Sequence, residues 1–141
     1  MTAKPFLDTN VLIYAFAADD PRSEPAEALL AAGGVISIQV LNEFVNVSRR
    51  KLAREWVEIE RQLEVLRALL DSPVALTLDL HEAAVAYARD YGFAFYDALI
   101  VAAANSAGCT IVYSEDMHDG QRIRGLIIRN PFVWIQPSPT L

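Results

Sequence analysis

Residues 4–16 read KPFLDTNVLIYAF, in which the acid Asp8 separates two apolar runs. The first run predicts a short buried strand at residues 4–7. The second predicts a helix through Phe16 with Asp8 or Thr9 as its N-cap, because short polar side chains satisfy the free N–H groups at a helix start. A strand that leads into a helix is the repeating unit of α/β folds. Asp8 is therefore expected where the carboxyl end of a strand meets the start of a helix.

The same alternation of short strands and helices continues along the chain. Further strands are predicted at residues 35–37, 74–76, 110–113 and 127–128. Further helices are predicted at residues 24–32, 38–51, 54–70, 79–91 and 96–107. This order indicates an α/β fold with a mainly parallel sheet, right-handed crossovers and helices on both faces. Because no internal repeat or long linker divides the chain, we expect a single domain over residues 1–141.

The apolar residues are more numerous than a lone domain of this size requires. Hydrophobic residues make up 53% of the chain, so part of the apolar surface is expected to be covered by another subunit or a partner. The helix predicted at 54–70 carries an apolar stripe at helical spacing. The stripe consists of Trp56, Ile59, Leu63, Leu66 and Leu70.

Composition and cysteine usage narrow the class of protein. Charged residues make up 21% of the chain, which together with the apolar share indicates a globular rather than a disordered protein. No apolar run approaches the roughly 20 residues that cross a bilayer, and the N-terminus lacks the apolar core of a secretory signal. The single cysteine, Cys109, cannot form an internal disulfide and is expected to be buried in a reducing compartment. The predicted location is the cytoplasm, without a membrane association.

The net charge of −6 argues against tight, sequence-independent binding of duplex nucleic acid, because phosphate contacts usually come from Lys and Arg. Two features leave a local RNA-contacting surface open. Acids that bind divalent cations reverse their local field. The basic residues also cluster, at Arg49-Arg50-Lys51 with Arg54, and at Arg122, Arg124 and Arg129.

Four acids are candidates for a metal site. Asp8, Glu43 and Asp116 lie at or soon after predicted strand ends, where α/β sheets bind ligands. Asp97 opens the otherwise apolar run 97–104, where an uncompensated carboxylate is very costly. Individually, Asp8 and Asp97 could be helix caps and the other two ordinary surface acids. Together at one sheet edge they would repel one another unless cations lay between them, and such oxygen ligands suit Mg²⁺ or Mn²⁺.

Uncharged polar side chains accompany these acids. The helix at 38–51 carries a polar stripe that would direct the Glu43 carboxylate toward the strand ends, formed by Gln39, Glu43, Asn46 and Arg50. Three short polar groups are predicted either to orient the carboxylates or to cap helices and turns, and both interpretations stay open. These groups are Thr9, Asn10 and Ser114.

Four segments, in order, resemble the motifs of the PIN domain family. They are FLDTNVL at 6–12, SIQVLNEF at 37–44, FYDALIVAAA at 95–104 and YSEDM at 113–117. Each motif alone is weak, but four in the same order cover nearly the whole chain. The chain is particularly similar to the VapC-type toxins of prokaryotic toxin–antitoxin pairs.

The resemblance implies a PIN-like three-layer α/β/α sandwich with a central, mainly parallel sheet of four to five short strands. It also implies an endoribonuclease that depends on Mg²⁺ or Mn²⁺ and acts on single-stranded or looped RNA. The implied metal ligands and catalytic residues are Asp8, Glu43, Asp97 and Asp116. Glu115 and Asp119 are neighbouring acids that could replace the last of these.

A homodimer and inhibition by a VapB-type antitoxin are implied as well. The apolar residues 11–17 and 56–70 are candidates for the antitoxin groove. Hydrolysis at such a site should leave a 5′-phosphate and a 3′-hydroxyl, so His81 and His118 are not needed as an acid–base pair.

Other functions are open to the sequence alone. A catalytically inactive RNA- or protein-binding module could keep this fold, since fold does not dictate function. A metal-dependent DNA nuclease is disfavoured by the absence of an added DNA-binding module. A phosphatase with Asp8 as nucleophile would usually have a second acid where Asn10 stands. A nucleotide-binding domain is disfavoured because no Gly-rich loop follows a strand.

Overall fold

Four short strands form the sheet of the computed structural model, which describes residues 3–133. They are β1 Phe6–Leu7, β2 Ile111–Tyr113, β3 Arg122–Ile123 and β4 Leu126–Arg129. Their order is β1-β2-β4-β3, with β1 and β4 parallel to β2, and β3 antiparallel to β4. The predicted α/β fold with a mainly parallel sheet of four to five short strands is confirmed.

The helices begin and end within two residues of their predicted bounds. They are α1 Thr9–Ala15, α2 Ser23–Ala32, α3 Ile38–Arg50, α4 Trp56–Leu69, α5 Leu78–Tyr91 and α6 Phe95–Ser106. Side-chain caps explain several of the starts, because Asp8, Ser37 and Thr77 each accept a backbone N–H at the head of a helix. α5 ends at Gly92, whose φ of 75° is the left-handed conformation that favours glycine.

The strands predicted at 35–37 and 74–76 are shorter than expected. Val35 bridges Phe6, and Ser37 bridges Val74, both in parallel, and neither segment forms a longer ladder. The backbone of Val35 accepts from Leu7 N at 3.0 Å and donates to Pro5 O at 2.9 Å. These bridges extend the sheet beyond β1 and bring the start of α3 beside the end of β1.

β3 was not predicted, and a tight hairpin accounts for it. Arg124 and Gly125 alone connect β3 to β4, with φ of 50° and 83°. Two consecutive positive φ angles are the geometry of the type I′ turn that suits two-residue hairpins. The usual sequence signal for this turn is Asn-Gly or Asp-Gly. An Arg-Gly pair lacks that signal, so it does not predict a hairpin.

The core is richest along α6, where residues 98–104 are all buried. The apolar stripe predicted for the α4 region is divided between the core and the surface. Ile59, Leu66 and Leu70 are buried, but Trp56 is 50% exposed. The Arg49 guanidinium lies 5.2 Å from the centre of the Trp56 ring, which gives this side chain a surface partner instead of a place in the core.

Within residues 3–133, no helix is long and apolar enough to cross a membrane. The expected domain extent of 1–141 includes residues 1–2 and 134–141, which lie outside the described residues. That extent therefore stays a prediction.

Candidate active site

Asp8 lies between β1 and α1 and is only 5% exposed. Its Oδ1 accepts from the Thr9 backbone N–H at 2.7 Å, so it caps α1, and its Oδ2 accepts from Ser114 Oγ at 2.8 Å. The pKa of Asp8 is raised to about 6, mainly by burial; the hydrogen bonds from Ser114 and Thr9 lower it, and the charges of Glu43 and Asp116 add smaller upward contributions. Asp8 is thus both a helix cap and a buried acid that faces other acids.

Glu43 lies in the second turn of α3, half-buried, and is held by two donors. Its Oε2 accepts from Thr9 Oγ1 at 2.7 Å, and its Oε1 accepts from Gln39 Nε2 at 3.2 Å. The contact with Thr9 joins α1 to α3, because residues 34 positions apart in sequence meet there. Gln39 was placed on the polar stripe of this helix from its spacing, but its bond to Glu43 was not foreseen.

Asp97 lies in the first turn of α6 and is half-buried. The N-cap of this helix is Ala94, which has no capping side chain, and within residues 3–133 no hydrogen bond affects the Asp97 carboxylate. Burial raises the pKa of Asp97, and the charges of Asp116 and then Glu43 raise it further. The carboxylate is therefore a first-turn acid rather than a cap, and it has lone pairs to offer a ligand.

Asp116 lies in the loop after β2 and is exposed. Its Oδ2 accepts from Asn10 Nδ2 at 2.7 Å, and its backbone N–H donates to Ser114 Oγ at 3.2 Å. The same Ser114 hydroxyl bonds to Asp8, so one side chain holds both acids in register.

The two neighbouring acids that could replace Asp116 are engaged elsewhere. Glu115 accepts from Arg22 Nη1 at 3.1 Å and from Tyr14 Oη at 3.2 Å. Asp119 Oδ1 accepts from the Asn130 backbone N–H at 2.8 Å. The structure therefore leaves Asp116 as the acid of this loop that faces Asp8 and Asp97.

The four acids influence one another electrostatically, since Glu43 and Asp116 raise the pKa of both Asp8 and Asp97. Within the described residues, the ion pairs of Lys4, Arg22 and Arg89 involve none of these four carboxylates. In this conformation no three His, Cys, Asp or Glu side chains of residues 3–133 are arranged around one point as ligands of a single ion.

The donor set nevertheless fits a hydrated divalent cation. Its ligand atoms are all oxygens, and its negative charge is not balanced by a basic neighbour, which is the environment that Mg²⁺ and Mn²⁺ prefer. Mg²⁺ keeps several waters and needs only one or two carboxylates.

The other polar residues considered from the sequence lie apart from this cluster. His81 packs its ring 5.4 Å from Phe95, and His118 is exposed. Of the basic run at the end of α3, Arg49 donates to the Arg54 backbone at 3.1 Å, which is a structural role.

Two features near the acids were missed from the sequence. The Arg22 guanidinium stacks over the Tyr14 ring at 3.8 Å and donates a hydrogen bond to Glu115. The bond to Glu115 joins residues 93 positions apart, so no local sequence pattern indicates it. Tyr96 precedes Asp97 and is 62% exposed, although it comes just before an apolar and buried run at 98–104.

A cleft of about 440 Å³ opens beside Glu43. It is lined by Gln39, Asn42, Glu43, Asn46 and Tyr96. The polar stripe of α3 therefore forms one wall of a cleft that begins at the acids.

Comparison with protein families agrees with this arrangement. The model of the family described as PIN domain matches residues 6–120, which include all four acids. No curated protein matches this sequence.

Three solved structures share the fold at low sequence identity. VapC20 of Mycobacterium tuberculosis, described as a sarcin–ricin loop cleaving toxin, is 23% identical with a TM-score of 0.66, over 79% of this chain and 89% of VapC20. A chain of a toxin–antitoxin complex from Klebsiella pneumoniae is 24% identical with a TM-score of 0.68, over 90% of this chain and 97% of the other. A chain of VapBC2 from Rickettsia felis, bound to a DNA fragment from its promoter, is 21% identical with a TM-score of 0.64, over 89% and 97%.

Proposed function

This chain belongs to the PIN domain family, and we propose that it is a metal-dependent endoribonuclease, the toxin of a type II toxin–antitoxin pair. One observation carries the proposal. Three short polar side chains each donate a hydrogen bond to a different acid: Ser114 to Asp8, Thr9 to Glu43 and Asn10 to Asp116. Carboxylates that are oriented at one sheet edge without a balancing cation are suited to hold metal. The similarity to a sarcin–ricin loop cleaving toxin supports RNA as the substrate, and the similarity to a toxin–antitoxin complex supports the role of toxin.

Asp8, Glu43, Asp97 and Asp116 are the residues that would hold one or two Mg²⁺ or Mn²⁺ ions. When bound, such an ion supplies a more acidic water and neutralises charge on the phosphate.

The side chains of the protein supply orientation and charge. Asp8 is held by Ser114 and by the Thr9 N–H, and with a pKa of about 6 it is mostly ionised at neutral pH. Thr9 and Gln39 fix the two oxygens of Glu43. Asp97 has no competing donor, so its carboxylate is available to a ligand or to a proton. No histidine pair is required, which agrees with products that carry a 5′-phosphate and a 3′-hydroxyl.

The partner proposals rest on the apolar surface. The predicted groove at residues 11–17 is wrong in its first half, because Val11, Leu12 and Ile13 belong to the core. α4, by contrast, exposes Trp56, Val57, Val65 and Leu69. We place the VapB-type antitoxin on these exposed apolar residues of α4, from which it would extend over the acids, in a homodimeric protein of the cytoplasm.

The test is cleavage of mixed single-stranded RNA with Mg²⁺, Mn²⁺ or EDTA. Wild type is compared with Asp97→Asn, and with Asp79→Asn, which changes a first-turn acid of α5 in the same way. We expect metal-dependent cleavage by wild type and Asp79→Asn, with 5′-phosphate ends, and none by Asp97→Asn. A folded wild type that binds no Mn²⁺ and cuts no RNA would instead indicate a catalytically inactive RNA- or protein-binding module.

A further inference from the structure

The cleft beside Glu43 combines an aromatic ring with side-chain amides. Tyr96, in the first turn of α6, forms one wall, and Gln39, Asn42 and Asn46 of α3 lie across from it. Gln39 already donates to Glu43, so Asn42 and Asn46 are the amides whose hydrogen-bonding groups face solvent.

The ring of Tyr96 is 62% exposed. Its centre lies 6.0 Å from that of Phe95, with the two ring planes at 67°, and Phe95 in turn contacts His81. An aromatic ring that is this open to solvent offers a π surface on which another flat group can stack. Tyr96 also directly precedes Asp97, so a group stacked there lies next to the acids.

The charge of the cleft selects among ligands. Among the residues that the structure describes, no Lys or Arg lines the cleft, and Glu43 is its one charged side chain. A phosphate would be repelled here, whereas a neutral, planar group with hydrogen-bonding edges matches both the ring and the amides. Unpaired nucleobases are such groups, and proteins bind them by aromatic stacking and by polar contacts to their edges.

We propose that this cleft binds one unpaired nucleobase of the substrate next to the scissile phosphate, stacked on Tyr96 and hydrogen-bonded by Asn42 and Asn46. The inference rests on the proposed function, because it takes RNA as the substrate. In this proposal Tyr96 increases the affinity for RNA without discriminating between bases, because stacking tolerates any base. The side-chain amides of Asn42 and Asn46 determine which base is preferred.

Uncharged nucleosides test the cleft without metal or catalysis. Adenosine, guanosine, cytidine and uridine are titrated into the isotope-labelled protein in EDTA, with ribose and ribose 5-phosphate as controls. We expect at least one nucleoside to shift the NMR signals of the Tyr96 ring and of the Asn42 and Asn46 amides, and we expect ribose to shift none. Tyr96→Ala should abolish the response, whereas Tyr96→Phe should keep it.

Kinetics with Mn²⁺ provide the second readout. Tyr96→Ala should raise the KM for RNA about tenfold, the loss expected for one stacked base, without changing Mn²⁺ affinity. Tyr91→Ala is the control, because Tyr91 is also exposed but lies on α5 outside the cleft.

The results separate the two proposals. Metal-dependent RNA cleavage without any nucleoside response, or with the same response in Tyr96→Ala, would overturn the nucleobase site and leave the ribonuclease proposal standing. A response to ribose 5-phosphate but not to nucleosides would also overturn it. Nucleoside binding by a protein that cuts no RNA would support the site and contradict the ribonuclease proposal.

Discussion

Arg22 donates a 3.1 Å hydrogen bond to Glu115, and the two residues are 93 positions apart in sequence. Arg22 precedes α2, and Glu115 lies in the loop after β2, directly before Asp116. Tyr14 joins the same cluster, since its hydroxyl accepts from Arg22 at 2.7 Å and donates to Glu115 at 3.2 Å. This cluster therefore fixes the loop from which Asp116 reaches the site.

Arg22→Gln should consequently weaken Mn²⁺ binding more than it weakens the fold. The ion pair is about one-third exposed, so its loss should cost no more than about 1 kcal/mol of stability. A displaced Asp116 should lower kcat on the order of tenfold. The change in Mn²⁺ affinity is measured by calorimetric titration at a temperature where wild type and Arg22→Gln are both fully folded. Arg89→Gln, which removes an exposed pair with Asp90, is the control, and equal Mn²⁺ affinity in wild type and Arg22→Gln would contradict the positioning role.

The pKa of Asp8 predicts a pH dependence of the metal-free protein. The pKa of Asp8 is about 6 in the folded state, above the ordinary value of 3.8. Between pH 3.8 and about 6, the folded state therefore keeps a proton on Asp8 that the unfolded state has released. This proton's contribution to the free energy of unfolding is complete below pH 3.8. It is lost as the pH rises through about 6, and the loss is on the order of 3 kcal/mol. Urea unfolding in EDTA at a series of pH values should show this decline in wild type relative to Asp8→Asn. Parallel curves for the two proteins would refute it.

Added metal should stabilise the folded protein through the four acids. At about 100 times its Kd, a ligand that binds only the folded state adds about 2.7 kcal/mol, or on the order of 10 °C in Tm for a domain of this size. A thermal melt with Mn²⁺ should show this shift for wild type and Asp79→Asn, and almost none for Asp97→Asn. In EDTA, Asp97→Asn should melt above wild type, because it removes the repulsion from Asp116 and Glu43.

The hydroxyl of Thr9 can be tested apart from its backbone. Thr9→Val keeps the size of the side chain and the N–H that Asp8 accepts, but removes the 2.7 Å bond to Glu43. We expect a loss of about 10- to 100-fold in activity or metal affinity, as for other groups that orient metal ligands. Thr9→Ser keeps the hydroxyl and should retain most of the activity. Similar losses in both variants would point to packing rather than to orientation.

Asp116 rather than its neighbours should be the fourth ligand. Asp116→Asn should abolish cleavage with a change in stability within about 0.5 kcal/mol, since the side chain is exposed. Asp119→Asn should remain active, because an amide oxygen can still accept the Asn130 N–H. Comparing the cleavage rates of the two variants decides between the acids, and an inactive Asp119→Asn with an active Asp116→Asn would reverse the assignment.

The sequence predicted most of the fold because its signals are local. Strand, cap and helix follow one another at residues 6–15, and the apolar run at 98–104 can only be buried. The hairpin of β3 and β4 was missed, because its Arg124-Gly125 turn lacks the usual Asn or Asp. The spacing of the apolar residues in α4 also does not show which of them are buried, and it gives no sign that the Arg49 guanidinium lies over the half-exposed Trp56 ring.

The acids of the candidate site could be predicted from the sequence, but most of their hydrogen-bond partners could not. Asp8, Glu43, Asp97 and Asp116 could be chosen by type and position relative to strands. The bonds from Ser114 to Asp8 and from Asn10 to Asp116 each span 106 residues, and no local pattern specifies which donor meets which acid. The roles of the four acids in catalysis stay predictions until their variants are assayed.

The pairing of β1 with β2 also has a consequence for biosynthesis. Phe6 faces Val112, so β1 leaves the ribosome more than 100 residues before its neighbour β2, although Val35 can already bridge its other edge. Ser114, which holds Asp8, and Asp116 come later still. A growing polypeptide therefore has no complete cluster of acids until Asp116 has been added. Whatever chemistry the finished protein carries out, the cell that makes it is exposed to that chemistry only after translation of the domain is almost finished.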